Sequence, residues 1–275
     1  MRRFSARDGA GLAYSDSGGA GAALLFVHGW QGDRSIWDSI VVRLSDRFRC
    51  VAADLRGFGA SSSAPGPYTL EQYSEDLCAL VEFLELERVF VIGHSMGGKV
   101  VVRFAVDAPE LVQALVLVAP VPLGPAGFSE KGVAYLRATA GNAPAAREWL
   151  IKTIMAPASA DVLDRLCHVA SSASPTAVVE SLDSWVLTDL SHAAKGVTAP
   201  ALVIGFEHDA PERVRDRAAA LLPNARFEEL PDCAHYAVLE QPSQVAEMIE
   251  AFIHAYPATA SHAGSEDERA KIRFR

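Results

Sequence analysis

Short apolar runs alternate with amphipathic stretches over most of the chain. Residues 23–27 read Ala-Leu-Leu-Phe-Val and residues 201–204 read Ala-Leu-Val-Ile. Such continuous apolar runs are typical of strands that are covered on both faces. Between residues 69 and 86 the apolar positions recur at helical spacing instead. The alternation predicts an α/β fold: a mostly parallel, twisted sheet with helices on both faces.

The same patterns place the individual elements. The predicted strands cover residues 2–7, 11–16, 23–27, 50–53, 89–92, 114–119, 201–204 and 226–230. The predicted helices cover about residues 36–44, 69–86, 96–107, 211–222 and 242–255. Residues 121–195 interrupt the alternation with helical patterns at about 130–140, 144–155, 160–171 and 175–188. We therefore predict a core (1–120 and 196–256), an inserted helical cap (121–195) and a mobile tail (257–275).

The strongest local pattern is Gly93-x-Ser95-x-Gly97, which follows a predicted strand and precedes a predicted helix. A sharp strand-to-helix turn brings the residues two before and two after the serine close together, so glycine is favoured at both places. The serine hydroxyl would lie at a helix N-terminus, where free N–H groups favour developing negative charge. The pattern predicts that Ser95 is a nucleophile.

A serine nucleophile needs a base within hydrogen-bond reach and an acid that orients the base. Asp209 follows the strand at 201–204, and His235 follows the strand at 226–230. The carboxyl ends of parallel strands share one edge of the sheet, where ligands bind. We therefore predict a triad of Ser95, Asp209 and His235. Glu207 is the alternative acid.

Four motifs together resemble the α/β-hydrolase fold superfamily, in particular its cap-bearing serine esterase, lactonase and haloperoxidase-like branch. They are His28-Gly29-Trp30, the segment from Asp54 to Ser61, Gly93-His94-Ser95-Met96-Gly97-Gly98, and Ala234-His235 followed by Glu240-Gln241-Pro242. The resemblance covers the chain except its tail. The four motifs are highly specific for the fold, but they say little about the substrate.

The resemblance also implies roles for single residues. Ser95 would attack an acyl carbon, His235 would move the proton, and Asp209 would hold the imidazole. The backbone N–H groups of Trp30 and Met96 would form the oxyanion hole. The predicted substrate-contacting side chains are those of Trp30, His94, Phe128 and Trp185.

Other polar residues near these motifs have structural interpretations. We expect His28 to hydrogen-bond the loop behind the oxyanion hole, and Asp54 and Arg56 to organise a turn. We expect His208 to face solvent and Cys233 to be structural. His94 follows Gly93 on a sharp turn, which favours a structural or pocket-lining role over acid–base chemistry.

Composition narrows the class of partner. The chain has 275 residues, a net charge of −9 and a pI near 5.4, which argues against binding to nucleic acid or to anionic membranes. Its four cysteines are widely spaced, which argues against a disulfide framework or a zinc site. No signal peptide, membrane span or cofactor motif is visible, so we predict a cytoplasmic protein without a metal or organic cofactor. Oligomeric state is left open.

The predicted function is hydrolysis of a carboxylic ester or lactone of a small, largely apolar substrate. Several other activities of the same fold keep a serine at the elbow: C–C bond hydrolysis, perhydrolysis and acyl transfer. A cofactor-free dioxygenase also fits the His28-Gly29-Trp30 motif. A binding protein is the alternative of a different class: a small-molecule receptor that turns its ligand over slowly.

Overall fold

The computed structural model describes residues 1–153, 160–206 and 218–256. Its strands are β1 (Arg2–Ser5), β2 (Gly11–Asp16), β3 (Ala23–Val27), β4 (Arg49–Ala53), β5 (Val89–His94), β6 (Val112–Val118), β7 (Ala201–Phe206) and β8 (Ala225–Leu230). Its helices include α1 (Asp38–Leu44), α2 (Leu70–Phe83), α3 (Met96–Asp107), α4 (Glu130–Arg137), α5 (Ala143–Thr153), α6 (Ala160–Ser172), α7 (Pro175–Leu187), α8 (Ala237–Glu240) and α9 (Pro242–Ala255). Short 3₁₀ turns lie at Arg34–Trp37, Gly59–Ser61, Pro109–Leu111 and Ala193–Gly196.

The strands form one sheet in the order β1-β2-β4-β3-β5-β6-β7-β8. The pairs β1–β2 and β2–β4 are antiparallel, and the strands from β4 through β3, β5, β6 and β7 to β8 are parallel. The predicted fold class is confirmed. Ser95 follows β5 and His235 follows β8, so both lie beyond the carboxyl ends of parallel strands.

The two faces of the sheet pack against different helices. Leu25 and Val27 belong to one hydrophobic cluster, together with apolar residues of α2 and α3. Leu24 and Phe26, the alternate residues of the same strand, belong to a second cluster with residues of α1 and α9. Because successive side chains of a strand point to opposite faces, a continuous apolar run serves both clusters.

Side-chain caps mark where several of the helices begin, α2 and α7 among them. The hydroxyl of Thr69 accepts a hydrogen bond from the Gln72 amide at the start of α2. The hydroxyl of Ser174 does the same for the Ala177 amide at the start of α7, where Pro175 supplies a favourable first residue. α3 begins differently, because its first turn carries the candidate nucleophile.

Helices α4 to α7 lie between β6 and β7, and we call them with their connections (residues 119–200) the helical segment. All four match predicted helices to within a few residues. The proposed division into core, cap and tail stays a prediction. The helix expected at about 211–222 falls largely outside the described residues, and the tail lies wholly outside them. No helix in the described parts of the chain combines the length and hydropathy needed to cross a membrane.

Candidate active site

Ser95 lies in the sharp turn between β5 and α3. Its φ is 54°, in a region that side chains other than glycine rarely adopt. The turn is tight on both sides of the serine. A Cβ on Gly93 would lie 2.3 Å from the carbonyl oxygen of Gly97, and a Cβ on Gly97 would lie 2.5 Å from the carbonyl oxygen of His28. Both glycines of the motif are therefore required by close backbone contacts.

Backbone hydrogen bonds hold Ser95 in this conformation and leave its hydroxyl for another partner. The Ser95 amide donates to the carbonyl of Val118 (3.0 Å), and its carbonyl accepts from the amide of Gly98 (2.9 Å). Ser95 is the N-cap residue of α3, yet its hydroxyl makes no capping bond. The hydroxyl oxygen lies 2.9 Å from Nε2 of His235 instead.

His235 lies in the loop after β8 and is positioned as a base for Ser95. When Nε2 accepts the serine proton, Nδ1 carries the ring proton, because neutral imidazole has one donor and one acceptor nitrogen. Sequence reasoning therefore brought together two residues that are 140 positions apart. Asp209, the predicted acid, lies outside the described residues, and so do Glu207 and His208.

His94 braces the His235 loop from the elbow side. Its Nε2 donates a hydrogen bond to the backbone carbonyl of His235 (2.7 Å), and the centroids of the two rings are 4.9 Å apart. The ring of Tyr236 packs on His94 as well, with centroids 5.3 Å apart. The exposed fraction of His94 is 1%. Its predicted contact with substrate stays a prediction; the contact described here positions the base.

Glu240 and Gln241 brace the same loop from its far side. Oε2 of Glu240 accepts a hydrogen bond from the Ala234 amide (2.9 Å), and burial raises the pKa of the Glu240 carboxyl. Nε2 of Gln241 donates to the carbonyls of Pro231 (3.0 Å) and Asp232 (3.1 Å). The motif Glu240-Gln241-Pro242 contributed to the resemblance without an assigned role. The contacts give it one: fixing the loop that presents His235.

His28 is a buried, neutral imidazole that joins two loops. Its Nε2 accepts a hydrogen bond from the Leu55 amide (3.0 Å), so Nδ1 carries the proton and donates to the carbonyl of Gly29 (2.8 Å). Burial lowers the pKa of His28 and favours this neutral form. These bonds fit the bracing role expected for His28.

The loop after β3 approaches the nucleophile closely. A Cβ on Gly29 would lie 2.9 Å from the Cβ of Ser95, so only glycine fits between the loop and the serine. Trp30 follows in that loop, and Met96 is the first residue of α3, where helical amides have no partner within the helix. The oxyanion hole predicted from the amides of Trp30 and Met96 stays a prediction that this arrangement permits.

The indole of Trp30 packs against the helical segment. Its Nε1 donates a hydrogen bond to the Val178 carbonyl (3.0 Å). Its ring meets those of Trp149 and Trp185 edge-on, with centroids 5.1 and 6.4 Å away. Phe128 extends this aromatic cluster, with its ring 5.8 Å from that of Trp185 and nearly half of its surface exposed. Substrate contact by Trp30, Phe128 and Trp185 stays a prediction; their described contacts are mainly with one another.

Asp54 and Arg56 organise the loop after β4, as expected. The carboxylate of Asp54 accepts from the amides of Arg34 (2.8 Å) and Ala60 (2.9 Å) and pairs with the Arg34 guanidinium. The guanidinium of Arg56 is fully buried and pairs with Asp8 and Asp76. The charged groups of Asp54 and Arg56 are therefore engaged in holding this loop.

Lys99 is a buried residue near the site to which sequence reasoning gave no role. It lies four residues after Ser95 on α3, and its ammonium donates to three backbone carbonyls. The available signal was a lysine in an otherwise apolar stretch of helix, followed by Val100, Val101 and Val102. Within the described residues, no group of three or more His, Cys, Asp or Glu side chains is placed to hold a metal ion.

Comparison with known proteins places this geometry in a family. Residues 24–248 match the model described as "Alpha/beta hydrolase family". A solved esterase from Thermogutta terrifontis is 26% identical to this chain, with a TM-score of 0.81. The match covers 94% of this chain and 100% of the esterase chain. A pimeloyl-[acyl-carrier protein] methyl ester esterase from Nitrosomonas europaea is 29% identical over 85% of this chain and 96% of its own length.

Other relatives match only part of this chain and part of their own length. The acetyltransferase component of an acetoin cleaving system from Cupriavidus necator is 37% identical over 46% of this chain and 35% of its own length. The chain thus spans about a third of the length of the first curated relatives it matches.

Proposed function

Because the chain belongs to the alpha/beta hydrolase family, we propose that it is a serine hydrolase that cleaves a carboxylic ester or lactone through an acyl-enzyme on Ser95. The observation that carries the proposal is the 2.9 Å contact between the Ser95 hydroxyl and Nε2 of His235, made at a strained strand-to-helix turn. The esterases among the relatives support the same reaction class.

The proposed acylation step moves one proton and exchanges one bond. As the Ser95 oxygen attacks the acyl carbon, His235 Nε2 accepts the hydroxyl proton. The amides of Trp30 and Met96 would stabilise the negative charge that develops on the carbonyl oxygen; losing one such donor typically costs about 10²–10³ in rate. When the C–O bond breaks, His235 returns the proton to the leaving alkoxide. In a lactone the leaving group remains attached to the acyl chain.

Deacylation repeats these roles with water as the nucleophile. His235 takes a proton from water, the resulting hydroxide attacks the acyl carbon, and Ser95 leaves with the proton from His235. Asp209 would hold the imidazole and stabilise its charged form. The braces that His94 and Glu240 place on the His235 loop would keep the imidazole aligned through both steps.

The helical segment supports a small, largely apolar substrate. Its Trp149 and Trp185 pack against Trp30, Phe128 packs against Trp185, and the exposed fraction of Ser95 is only 7%. We propose that the helical segment is the cap that bounds the acyl pocket. A cytoplasmic location, taken from the sequence, remains part of the proposal.

The decisive experiment is labelling with a fluorophosphonate, located by mass spectrometry and followed by a panel of esters and lactones. We expect a label on Ser95 and a burst of p-nitrophenol from short acyl esters, both abolished in Ser95→Ala. Wild-type protein that neither labels nor turns over any ester, lactone or thioester would reject the proposal. Product analysis with competing alcohols or peroxide separates hydrolysis from acyl transfer and perhydrolysis, and a vinylogous diketone tests C–C cleavage.

A further inference from the structure

The side chain of Lys99 is enclosed entirely by the protein. Its exposed fraction is 0%, and it lies on α3, whose N-cap residue is Ser95. The ammonium donates hydrogen bonds to the carbonyl oxygens of Gly124 (2.8 Å), Trp185 (2.9 Å) and Thr188 (2.6 Å). A lysine ammonium has three donors, so all of its hydrogen-bonding capacity is spent on these carbonyls.

The three carbonyls belong to the two connections between the helical segment and the sheet. Gly124 lies where the chain leaves β6 for α4. Trp185 lies in the last turn of α7, and Thr188 is its C-cap residue, from which the chain returns to β7. One ammonium therefore holds both the entry and the exit of the helical segment against the helix that carries the nucleophile.

The entry and exit are also joined directly to each other. The Leu190 amide donates to the Leu123 carbonyl (2.8 Å), and the Ala126 amide donates to the Val186 carbonyl (2.9 Å). We call these paired connections, residues 123–126 and 185–190, the neck. Lys99 supplies hydrogen-bond donors to both chains of the neck.

Trp185 connects the neck to the candidate oxyanion loop. Its carbonyl accepts from Lys99, while its ring meets the ring of Trp30 edge-on, with centroids 6.4 Å apart. Trp30 in turn donates to the Val178 carbonyl of α7. A shift of the neck relative to α3 would therefore move the aromatic residues beside the loop that faces Ser95.

An apolar side chain at this position would avoid the cost of burying a charge, but it would offer the neck no hydrogen-bond donors. Burying an ammonium is costly, and it is tolerated only when its donors are satisfied. Removing the ammonium alone would leave the buried carbonyl of Trp185 and the partly buried carbonyls of Gly124 and Thr188 without this donor. The negative charge of Asp189, which belongs to the neck, also attracts the ammonium. The arrangement fixes the neck at one position relative to α3.

We propose that Lys99 is a positioning residue that holds the neck against the nucleophile helix and thereby sets which acyl groups the site accepts. The proposal rests on the proposed hydrolase function. It assigns Lys99 an effect on substrate selectivity, and none on the proton transfers between Ser95 and His235.

The test compares Lys99→Met with Arg103→Met, which removes a cation one turn further along α3 where it pairs with Glu71 and Asp107. In Lys99→Met we expect the ratio of kcat/KM for p-nitrophenyl hexanoate to that for p-nitrophenyl acetate to change about ten-fold or more, chiefly through KM. Labelling of Ser95 by a small fluorophosphonate should stay within about three-fold of wild type. Arg103→Met should retain the wild-type ratio.

Two results would overturn the proposal: an unchanged ratio in Lys99→Met, or an equal fall in kcat for both esters. Rescue provides a further check, because ethylammonium or propylammonium should restore the ratio in Lys99→Ala by occupying the vacated site. If Lys99→Met does not fold, Lys99→Gln, which keeps two donors, takes its place with a smaller expected change.

A measurement without turnover separates this proposal from the proposed function. Amide hydrogen exchange at Ala126 and Leu190 reports on the neck bonds directly and should be about ten-fold faster in Lys99→Met than in Arg103→Met. If the wild-type protein shows no esterase activity but the exchange difference is present, the proposed function is rejected and the contact between Lys99 and the neck is retained. Esterase activity without the exchange difference would reject the role of Lys99.

Discussion

The buried ammonium of Lys99 predicts an unusual dependence of stability on pH. Burial lowers the pKa of Lys99 from its ordinary value of 10.5 to about 8, while the charge of Asp189 opposes the shift. In the unfolded chain the lysine titrates near its ordinary value. Between these two pH values the unfolded state binds more protons than the folded state, so the contribution of Lys99 to stability rises with pH.

The size of the effect follows from the two pKa values. Their difference, 10.5 minus about 8, corresponds to about 3 kcal/mol at about 1.4 kcal/mol for each tenfold change in proton affinity. Below about pH 8 the contribution is constant, because the lysine is charged in both states. Above about pH 10.5 it is constant again, because the lysine is neutral in both.

Urea unfolding of wild type and Lys99→Met, measured in parallel from about pH 7 to about pH 11, isolates this contribution. Other titrating groups are common to both proteins and cancel in the difference. We expect the free energy of unfolding of wild type, minus that of the variant, to rise by about 3 kcal/mol across the window. A flat difference would refute the lowered pKa. A falling difference would mean that the three carbonyls stabilise the ammonium by more than burial destabilises it.

Three further predictions concern the loops around the site. Gly57→Ala should lower the free energy of unfolding by about 2–4 kcal/mol, because φ is 85° and the new Cβ would lie 2.2 Å from the Cβ of Ala177. The control is Gly9→Ala, which has a φ of 87° but open space around it and should cost only about 1 kcal/mol. Equal losses in thermal unfolding would contradict the predicted clash. His94→Phe should lower kcat about ten-fold with KM little changed, because one hydrogen bond to the His235 loop is lost; an effect confined to KM would point to substrate contact instead. Glu240→Gln, whose side-chain oxygen can still accept from the Ala234 amide, should be about as stable as wild type, while Glu240→Ala, which removes that acceptor, should lose about 1 kcal/mol on urea unfolding. Comparable stability of the two variants would rule out the brace.

Sequence reasoning succeeded where a residue type is demanded by local geometry. Gly93 and Gly97 had to be glycine because their Cβ atoms would meet backbone oxygens, and backbone cannot move aside as a flexible side chain can. The alternation of Leu24 with Leu25 between two hydrophobic clusters followed from the two-residue period of a strand. Periodicity and tight turns leave a direct record in the sequence.

The pairing of Ser95 with His235 could not be predicted from local sequence patterns alone. Nothing local in the chain connects residues 140 positions apart. The connection came from topology, because the carboxyl ends of parallel strands meet at one edge of the sheet. The same reasoning selected Asp209, which lies outside the described residues and stays a prediction.

The side-chain roles at the interface with the helical segment could not be predicted in this way. The contact of Trp30 with substrate stays a prediction; the described contacts of its indole are a hydrogen bond from Nε1 to the Val178 carbonyl and an edge-on contact with the ring of Trp149. Both arrangements place an aromatic residue beside the end of a strand. Only the position of the helical segment decides between them, and apolar periodicity does not encode how one group of helices is oriented on another.

The helical segment is joined to the core partly through its own side chains, such as the hydroxyls of Thr139 and Ser184, and partly through its backbone. Lys99 and Trp30 donate from the core, and the acceptors on the other side are backbone carbonyls, those of Trp185, Thr188 and Val178 among them. Every residue has a carbonyl, so these acceptors impose no residue type on the helical segment. The donors, in contrast, need a particular side chain at a particular position. At these contacts the helical segment can therefore change its side chains while the core retains the donors that hold it.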